Sequence, residues 1–194
     1  MYLNKTFIYS IIFICLGLNQ FIFASGTMNE DEVNNVKRVE ATSDEEKQRL
    51  SKAAGLLANY EIAAKKLIHD LENSNTEKTR HQAKELLNLS EEVIASAKFR
   101  LPQCEEYLSK TLTLKEHLQT MSHETLEKDY HHDGALPKAP TECYHTKDLF
   151  VHPATVIILT RDDPSLSSVT KSSITAEITE VLGHTELVRQ LIIY

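Results

Sequence analysis

The sequence lacks several features on which common functional classes depend. It contains no Trp and only five Gly in 194 residues. A P-loop or a dinucleotide-binding turn needs closely spaced glycines, and neither motif is present. Acidic residues outnumber basic ones, giving a net charge of −7 with His neutral. Because nucleic-acid binding requires a basic face that neutralises phosphates, this balance argues against a nucleic-acid partner.

Catalytic motifs are also scarce. The chain has no His-Glu-x-x-His motif of zinc proteases, no Cys-x-x-Cys-His motif of covalently bound haem and no Gly-x-Ser-x-Gly nucleophile turn. Residues 142–145, Glu-Cys-Tyr-His, match Glu-x-x-His once, whereas a di-iron carboxylate bundle needs two such motifs on its long helices. We therefore predict that the protein is not an enzyme.

The N-terminal residues have the pattern of a secretory signal peptide. Lys5 gives a positive start, the stretch from Phe7 to Phe23 is mostly apolar, and residues 24–26, Ala-Ser-Gly, offer a small-x-small cleavage site. The apolar stretch is too short and too interrupted to favour a membrane-spanning helix, although an uncleaved anchor is the alternative. We predict a signal peptide over residues 1–26, a periplasmic or secreted location, and no stable membrane insertion after cleavage.

The cysteines support an oxidising compartment. Removal of the signal peptide also removes Cys15 and leaves Cys104 and Cys143. An even number of cysteines in an exported chain predicts one disulfide. The alternative is that the two thiolates bind a metal, but neither belongs to a Cys-x-x-Cys pair.

Hydrophobic periodicity predicts an all-α fold. After a polar, acidic and flexible leader over residues 27–42, Ser43 and Glu46 have the spacing of a capping box at a helix start. Apolar residues then recur at alternating spacings of three and four in four stretches. The four seams are Leu50, Ala53, Leu57, Tyr60, Ala64, Leu67 and Leu71; Thr79, Ala83, Leu86, Ser90, Val93 and Ala97; Tyr107, Thr111, Leu114, Leu118, Met121 and Thr125; and Ile174, Ile178, Val181, Thr185, Val188 and Ile192. We predict an up-down four-helix bundle over residues 43–194.

An irregular insertion at about residues 129–168 separates the third predicted helix from the fourth. Residues 130–140 contain one Gly and two Pro, which indicates a loop. Residues 156–159, Val-Ile-Ile-Leu, are consistent with a short buried strand or a short helix. Helix is favoured because no second strand-like run is present to pair with them. The predicted disulfide links the insertion to the start of the third helix.

Histidines concentrate in and just before this insertion. Six of the nine lie between positions 117 and 152: His117, His123, His131, His132, His145 and His152. Imidazole nitrogens with one or two carboxylates suit copper, zinc, nickel or iron. We therefore predict a divalent transition-metal site whose ligands come from His131, His132, Asp133, His145, Asp148 and His152.

The spacing of these candidates gives mixed support. His145, Asp148 and His152 stand at i, i+3 and i+7, which is one face of a helix, but Pro153 predicts that His152 is not helical. The remaining histidines are not predicted ligands. Those at positions 69 and 81 lie off their seams and are expected at the surface, and the one at 184 is considered only as a haem ligand with Met121.

Two function classes remain open. The first is an exported protein that binds or handles a transition metal through the insertion. The alternative is a non-catalytic interaction module that uses residues 129–156 as a docking surface for a protein partner, in the cell envelope or in a host.

Overall fold

The described part of the chain is entirely helical. The structure is a computed structural model that describes residues 28–194, so the predicted signal peptide lies outside the described residues. No strand is present within residues 28–194, and the predicted all-α class is confirmed. The α-helices are α1 (Glu30–Asn34), α2 (Asp44–Asp70), α3 (Thr76–Arg100), α4 (Glu105–Leu112), α5 (His123–Leu126), α6 (Tyr144–Asp162) and α7 (Ser168–Ile192).

Four long helices enclose the core. Helix α2 packs on α3, α3 on α6, α6 on α7, and α7 back on α2. Ser43 caps α2, and its capping box with Glu46 is formed as predicted. All residues of the first, second and fourth predicted seams are buried. None of the helices among residues 28–194 combines the length and apolar character that crossing a bilayer requires.

The predicted third long helix is not a single helix. Helix α4 ends at Leu112, a 3-10 turn covers Thr113–His117, and α5 continues directly into a π-helical turn at Glu127–His131. The Thr111 hydroxyl donates to the Tyr107 carbonyl oxygen at 3.0 Å, and the Thr113 hydroxyl to the Lys110 carbonyl oxygen at 2.7 Å. Such threonine hydroxyls compete with the helical hydrogen-bond pattern, which accounts for a break where periodicity alone indicated continuity.

The second half of the predicted insertion is the most buried helix of the fold. Nearly all of α6 is inaccessible to solvent, and Pro153 lies inside it. The expectation that His152 is not helical is therefore wrong. Pro153 cannot donate to the Leu149 carbonyl oxygen four residues earlier, but the buried Tyr60 hydroxyl on α2 donates to that oxygen at 2.8 Å. The helix continues because a neighbouring side chain satisfies the open acceptor.

The predicted disulfide is present between Cys104 and Cys143. It joins the turn before α4 to the turn before α6, so it fixes the start of α6 against the neighbouring segment. Helix α6 is therefore held by the disulfide at its start and by its packing on α3 and α7.

Part of the predicted flexible leader contacts the helices. Val33 on α1 is buried, and Arg38 Nε donates to the Leu191 carbonyl oxygen at 3.1 Å. The Val39 amide donates to the Arg100 carbonyl oxygen at 2.9 Å. Residues 33–39 therefore pack against the C-terminal ends of α3 and α7, a contact that the polar composition of the leader did not indicate.

Candidate metal centre

Three helical segments each carry a row of potential metal ligands. On α6 and α7 the rows have the spacing i, i+3 and i+7, and on α5 and the following π turn the spacing is i, i+4 and i+8. Residues at these spacings share one helix face. The rows are His145, Asp148 and His152; Glu177, Glu180 and His184; and His123, Glu127 and His131. Because α6 contacts both α7 and α5, the three rows meet in one interior cluster.

Five imidazole rings form a continuous series of ring contacts through this cluster, two of them stacked, one edge-on and one tilted. The ring centroids of His132 and His131 are 5.2 Å apart, and those of His131 and His152 are 4.9 Å apart. The His152 and His184 centroids are 5.9 Å apart, and those of His184 and His145 are 4.8 Å apart. His152 is fully buried, whereas His132 lies at the exposed end of this series of rings.

Glutamates orient two of the rings. His152 Nδ1 lies 2.8 Å from Glu177 Oε2, and His131 Nδ1 lies 2.8 Å from Glu127 Oε2. A carboxylate that accepts from one ring nitrogen fixes the tautomer and presents the other nitrogen to a metal, which is the usual arrangement around metal-binding histidines. His123 Nε2 approaches Glu127 Oε1 at 3.4 Å. The Glu127 carboxylate thus lies against the imidazoles of both His131 and His123.

The chain reverses direction in a tight turn directly after His131. The π turn ends at His131, Asp133 adopts a positive φ of 60°, and the Gly134 amide donates to the Lys128 carbonyl oxygen at 2.9 Å. A Cβ atom at Gly134 would lie 2.5 Å from that oxygen, so only glycine fits. π turns are often found at functional sites.

Asp148 occupies the centre of the cluster. Its Oδ2 lies 3.6 Å from His184 Nε2, and its Oδ1 lies 3.2 Å from Lys147 Nζ. Burial alone would raise the pKa of Asp148, but the positive charge of Lys147 and the neighbouring imidazoles lower the pKa overall. The carboxylate is therefore ionised at neutral pH.

The imidazoles of the cluster differ in the direction of their pKa shifts. Burial lowers the pKa of His184 to about 4, against the opposing attraction of Asp148. Burial would also lower the pKa of His131, but its hydrogen bond and charge interaction with Glu127 raise it overall. His184 is therefore neutral at pH 7, the form that binds metals. The 2.8 Å contact between His145 Nδ1 and His184 Nδ1 requires one ring to donate and the other to accept.

Several buried ligand atoms lack a hydrogen bond. Among residues 28–194, His152 Nε2 and His184 Nε2 are inaccessible to solvent and have no hydrogen-bond partner. Leaving such atoms unsatisfied costs about 1–3 kcal/mol each, and more for charged groups. Native proteins rarely retain this arrangement without a compensating ligand, ion or water.

Ligand atoms come within 4.8 Å of one another in overlapping groups of three. These groups are His131, Asp148 and His152; His145, Asp148 and His184; His152, Glu180 and His184; Glu127, His131 and His132; and His123, Glu127 and Glu177. A surface cavity of about 400 Å³ reaches the cluster, and its lining includes His145, Glu180 and His184. An ion therefore has an entry path to the second and third groups.

The structure places five of the six predicted ligands in the close groups: His131, His132, His145, Asp148 and His152. His132 stacks on His131 at the outer edge of the cluster. Asp133 joins none of the groups, because its Oδ1 accepts from the Tyr107 hydroxyl at 2.6 Å and from Lys147 Nζ at 3.1 Å.

The sequence analysis did not predict the candidate ligands on α7 or Glu127. Glu177, Glu180 and His184 repeat the spacing of His145, Asp148 and His152, so the signal was present in the sequence. The clustering of histidines indicates the insertion, whereas α7 contains a single histidine. The two histidines expected at the surface, at positions 69 and 81, are exposed.

Comparisons of the chain with protein-family models, with curated proteins and with solved structures found no match. Function must therefore be inferred from the chemistry of the cluster itself.

Proposed function

We propose that this is an exported helical-bundle protein that binds a divalent transition metal in the buried cluster. The proposal depends on one observation: buried nitrogen atoms of His152 and His184 lack a hydrogen-bond partner, and each of these residues belongs to a close group of ligand atoms that includes Asp148. Imidazole and carboxylate donors together suit copper, zinc, nickel or iron. A bound ion gives such a nitrogen atom the partner that the chain does not supply.

Energetics support this proposal. The apolar seams of α2, α3 and α7 already provide a core, so the cluster is not needed for folding. Burying carboxylates and imidazoles opposes folding unless each is paired. The concentration of such groups at the meeting of α5, α6 and α7 therefore favours a binding role over a structural one.

The export part of the proposal is supported by the Cys104–Cys143 disulfide, because such bonds persist in oxidising compartments. The predicted cleavage after residue 26 is tested by mass spectrometry of the protein recovered from an export-competent host. A mature chain that begins near residue 27 is the expected result, and a chain that keeps its N-terminal residues contradicts it.

Metal binding is tested on the full chain, expressed with its own N-terminal residues and purified without a His tag. We expect the metal-free protein to gain stability on addition of Zn(II), Cu(II), Ni(II) or Fe(II), because a ligand that binds only the native state at 100 times its Kd stabilises by about 2.7 kcal/mol. Thermal unfolding and elemental analysis report the gain and the bound ion.

Two variants separate this site from adventitious binding. His152→Ala should reduce the metal-dependent rise in Tm, whereas His81→Ala, which changes an exposed imidazole on α3, should retain it in full. Absence of bound metal together with no Tm shift for any of the four ions contradicts the proposal.

The docking alternative has less support. Residues 145–156 are buried, so within the predicted docking segment the exposed side chains lie before α6. Metal-free protein that captures a partner through residues 129–142 would favour that alternative.

A further inference from the structure

We propose that the cluster holds two divalent ions that share the Asp148 carboxylate, an inference that rests on the proposed function. The first ion is bound by His131 and His152, and the second by His145 and His184. Both sets of ligand atoms, each completed by Asp148, fall within 4.8 Å. A carboxylate has two oxygens and can bridge ions about 3.5–4 Å apart, the separation found in two-metal sites.

The geometry of α6 separates the two ion positions. His145 precedes Asp148 by three residues and His152 follows it by four. On the shared face of the helix, one imidazole therefore lies before the carboxylate and the other after it along the helix axis. At 1.5 Å per residue, their Cα atoms are separated by roughly 10 Å along the helix axis. Among residues 28–194, none of the close groups of three ligand atoms contains both His145 and His152. Each of these imidazoles therefore belongs to a different ion.

The partners of α6 follow the same division. His131, from the π turn, lies against His152, with 4.9 Å between ring centroids. His184, from α7, lies against His145, with 2.8 Å between their Nδ1 atoms. Asp148 is the ligand shared by the two pairs.

Carboxylates surround both ion positions. Glu127, Asp148, Glu177 and Glu180 all take part in the close groups of ligand atoms. Lys147 lies against Asp148, but its ammonium also pairs with Asp133 and donates to the Tyr130 and His131 carbonyl oxygens. Carboxylates in a largely buried site oppose folding unless they are paired, and bound divalent ions supply that pairing.

The competing arrangement is a single ion held by His152, Glu180 and His184, whose ligand atoms also lie within 4.8 Å. This arrangement uses neither His131 nor His145. The two arrangements therefore differ in both the number of ions and the residues on which binding depends.

The test is a titration of the full, metal-free chain with Cu(II) alone, followed by gel filtration, elemental analysis and electron paramagnetic resonance. We expect about two ions per chain, and we expect the signal of isolated Cu(II) to decrease as the second ion binds beside the first. One ion per chain with an isolated-ion spectrum overturns the two-ion proposal and leaves the proposed function intact. No bound copper, together with no binding of the other three ions, overturns both.

Three variants give an independent test. His131→Ala and His145→Ala should each reduce the stoichiometry from about two ions to about one, whereas His81→Ala should leave it unchanged. If both cluster variants bind as many ions as the unchanged chain, the assignment of ligands is wrong. Because the unchanged chain already gives the number of ions and the coupling, the test does not depend on whether any variant folds.

Discussion

Helices α2 and α6 share one core but bury different chemistry. The buried face of α2 is formed by Leu50, Ala53, Leu57, Tyr60, Ala64 and Leu67. Helix α6 buries His145, Lys147, Asp148 and His152 among its apolar side chains. Apolar burial stabilises the fold, whereas buried polar groups oppose it unless paired. Helix α2 therefore buries a uniformly stabilising face, and α6 adds buried polar groups that need partners.

This difference predicts that the two regions respond differently to mutation. Changes on the α2 side should reduce stability and leave the cluster's ion preference unchanged. Changes in the cluster should alter ion binding with little loss of stability, provided that both members of a buried pair are replaced. The disulfide is the exception, since it connects directly to the start of α6.

Loss of the disulfide should have the largest effect on stability. The bond closes a sequence separation of 39 residues, for which the chain-entropy relation gives a stabilisation of about 4 kcal/mol. We expect the Cys104→Ser/Cys143→Ser double variant to lose this amount in urea unfolding. Metal affinity should also fall, because His145 follows Cys143 by two residues.

The single variant Cys104→Ser is the control for the disulfide. It should lose as much stability as the double variant, since either change removes the bond. Equal metal affinity with and without the disulfide would show that the start of α6 is positioned by packing alone.

A core truncation on the α2 side should have the next largest effect. Leu67 is fully buried, and Leu→Ala changes at such sites cost about 2–5 kcal/mol because they leave a cavity. We expect Leu67→Ala to lower the free energy of unfolding by about 3 kcal/mol, measured from the urea midpoint and slope. The metal-dependent gain in stability should remain, since Leu67 belongs to none of the close ligand groups.

Ile62→Ala is the matched control, because Ile62 lies on the same helix and is 66% exposed. It should change stability by less than about 0.5 kcal/mol. A similar loss for the two variants would contradict the assignment of the core face of α2.

The sequence predicted the α2 side well because only one face of each helix there is buried. A helix with one buried face has a regular apolar period, and the seams of α2, α3 and α7 follow it. Helix α6 is buried on nearly all sides, so apolar residues such as Leu149, Phe150 and Val151 occur consecutively and the period is lost. The helix then resembles a short strand or a loop in sequence.

The cluster was predictable only in part, for a similar reason. The ligand types and the spacing on α6 were visible, but helical geometry at His152 depends on Tyr60, which is 92 positions away in the sequence and satisfies the acceptor that Pro153 leaves open. Glu177 and Glu180 resemble the charged, solvated face of an amphipathic helix. Their proximity to the cluster histidines becomes apparent only when α7 is placed against α6.

Replacement of a polar pair in the cluster should sharpen the contrast with the α2 side. His152 and Glu177 form a 2.8 Å contact, and replacing both partners of a buried hydrogen bond by apolar groups of similar shape can be nearly neutral or stabilising. We expect His152→Leu/Glu177→Met to keep or raise the free energy of unfolding of the metal-free chain. The metal-dependent gain should decrease, because His152 is no longer available as a ligand.

The single variant His152→Leu completes this comparison. It leaves the Glu177 carboxylate without its imidazole, so its metal-free stability should be lower than that of the double variant. If the double variant is the less stable of the two, the pair stabilises the fold and the proposed division between the regions fails.

The smallest expected effect concerns a polar residue outside the cluster, Asp163, which lies between α6 and α7. One carboxylate oxygen accepts from the Ser165 amide at 3.1 Å, and the other accepts from the Ser167 amide at 2.8 Å and the Thr170 hydroxyl at 2.6 Å. These hydrogen bonds, led by those of the serine and threonine hydroxyls, hold the pKa of Asp163 below its usual range. A carboxylate whose pKa is lowered on folding stabilises the protein above the unfolded-state pKa, and this contribution is lost as the pH falls toward the folded-state value.

We therefore expect Asp163→Asn to lower Tm modestly at pH 7, because the amide replaces one acceptor oxygen with a donor. The difference from the unchanged chain should shrink as the pH falls below about 4, the unfolded-state pKa of an aspartate. Glu85→Gln, an exposed change on α3, should give no comparable difference at either pH. A Tm difference for Asp163→Asn that is independent of pH would mean that the charge of Asp163 does not contribute to the connection between α6 and α7. Any polar stabilisation of α6 and α7 would then come from the cluster itself. That result would contradict the contrast between the stabilising face of α2 and the polar groups of α6.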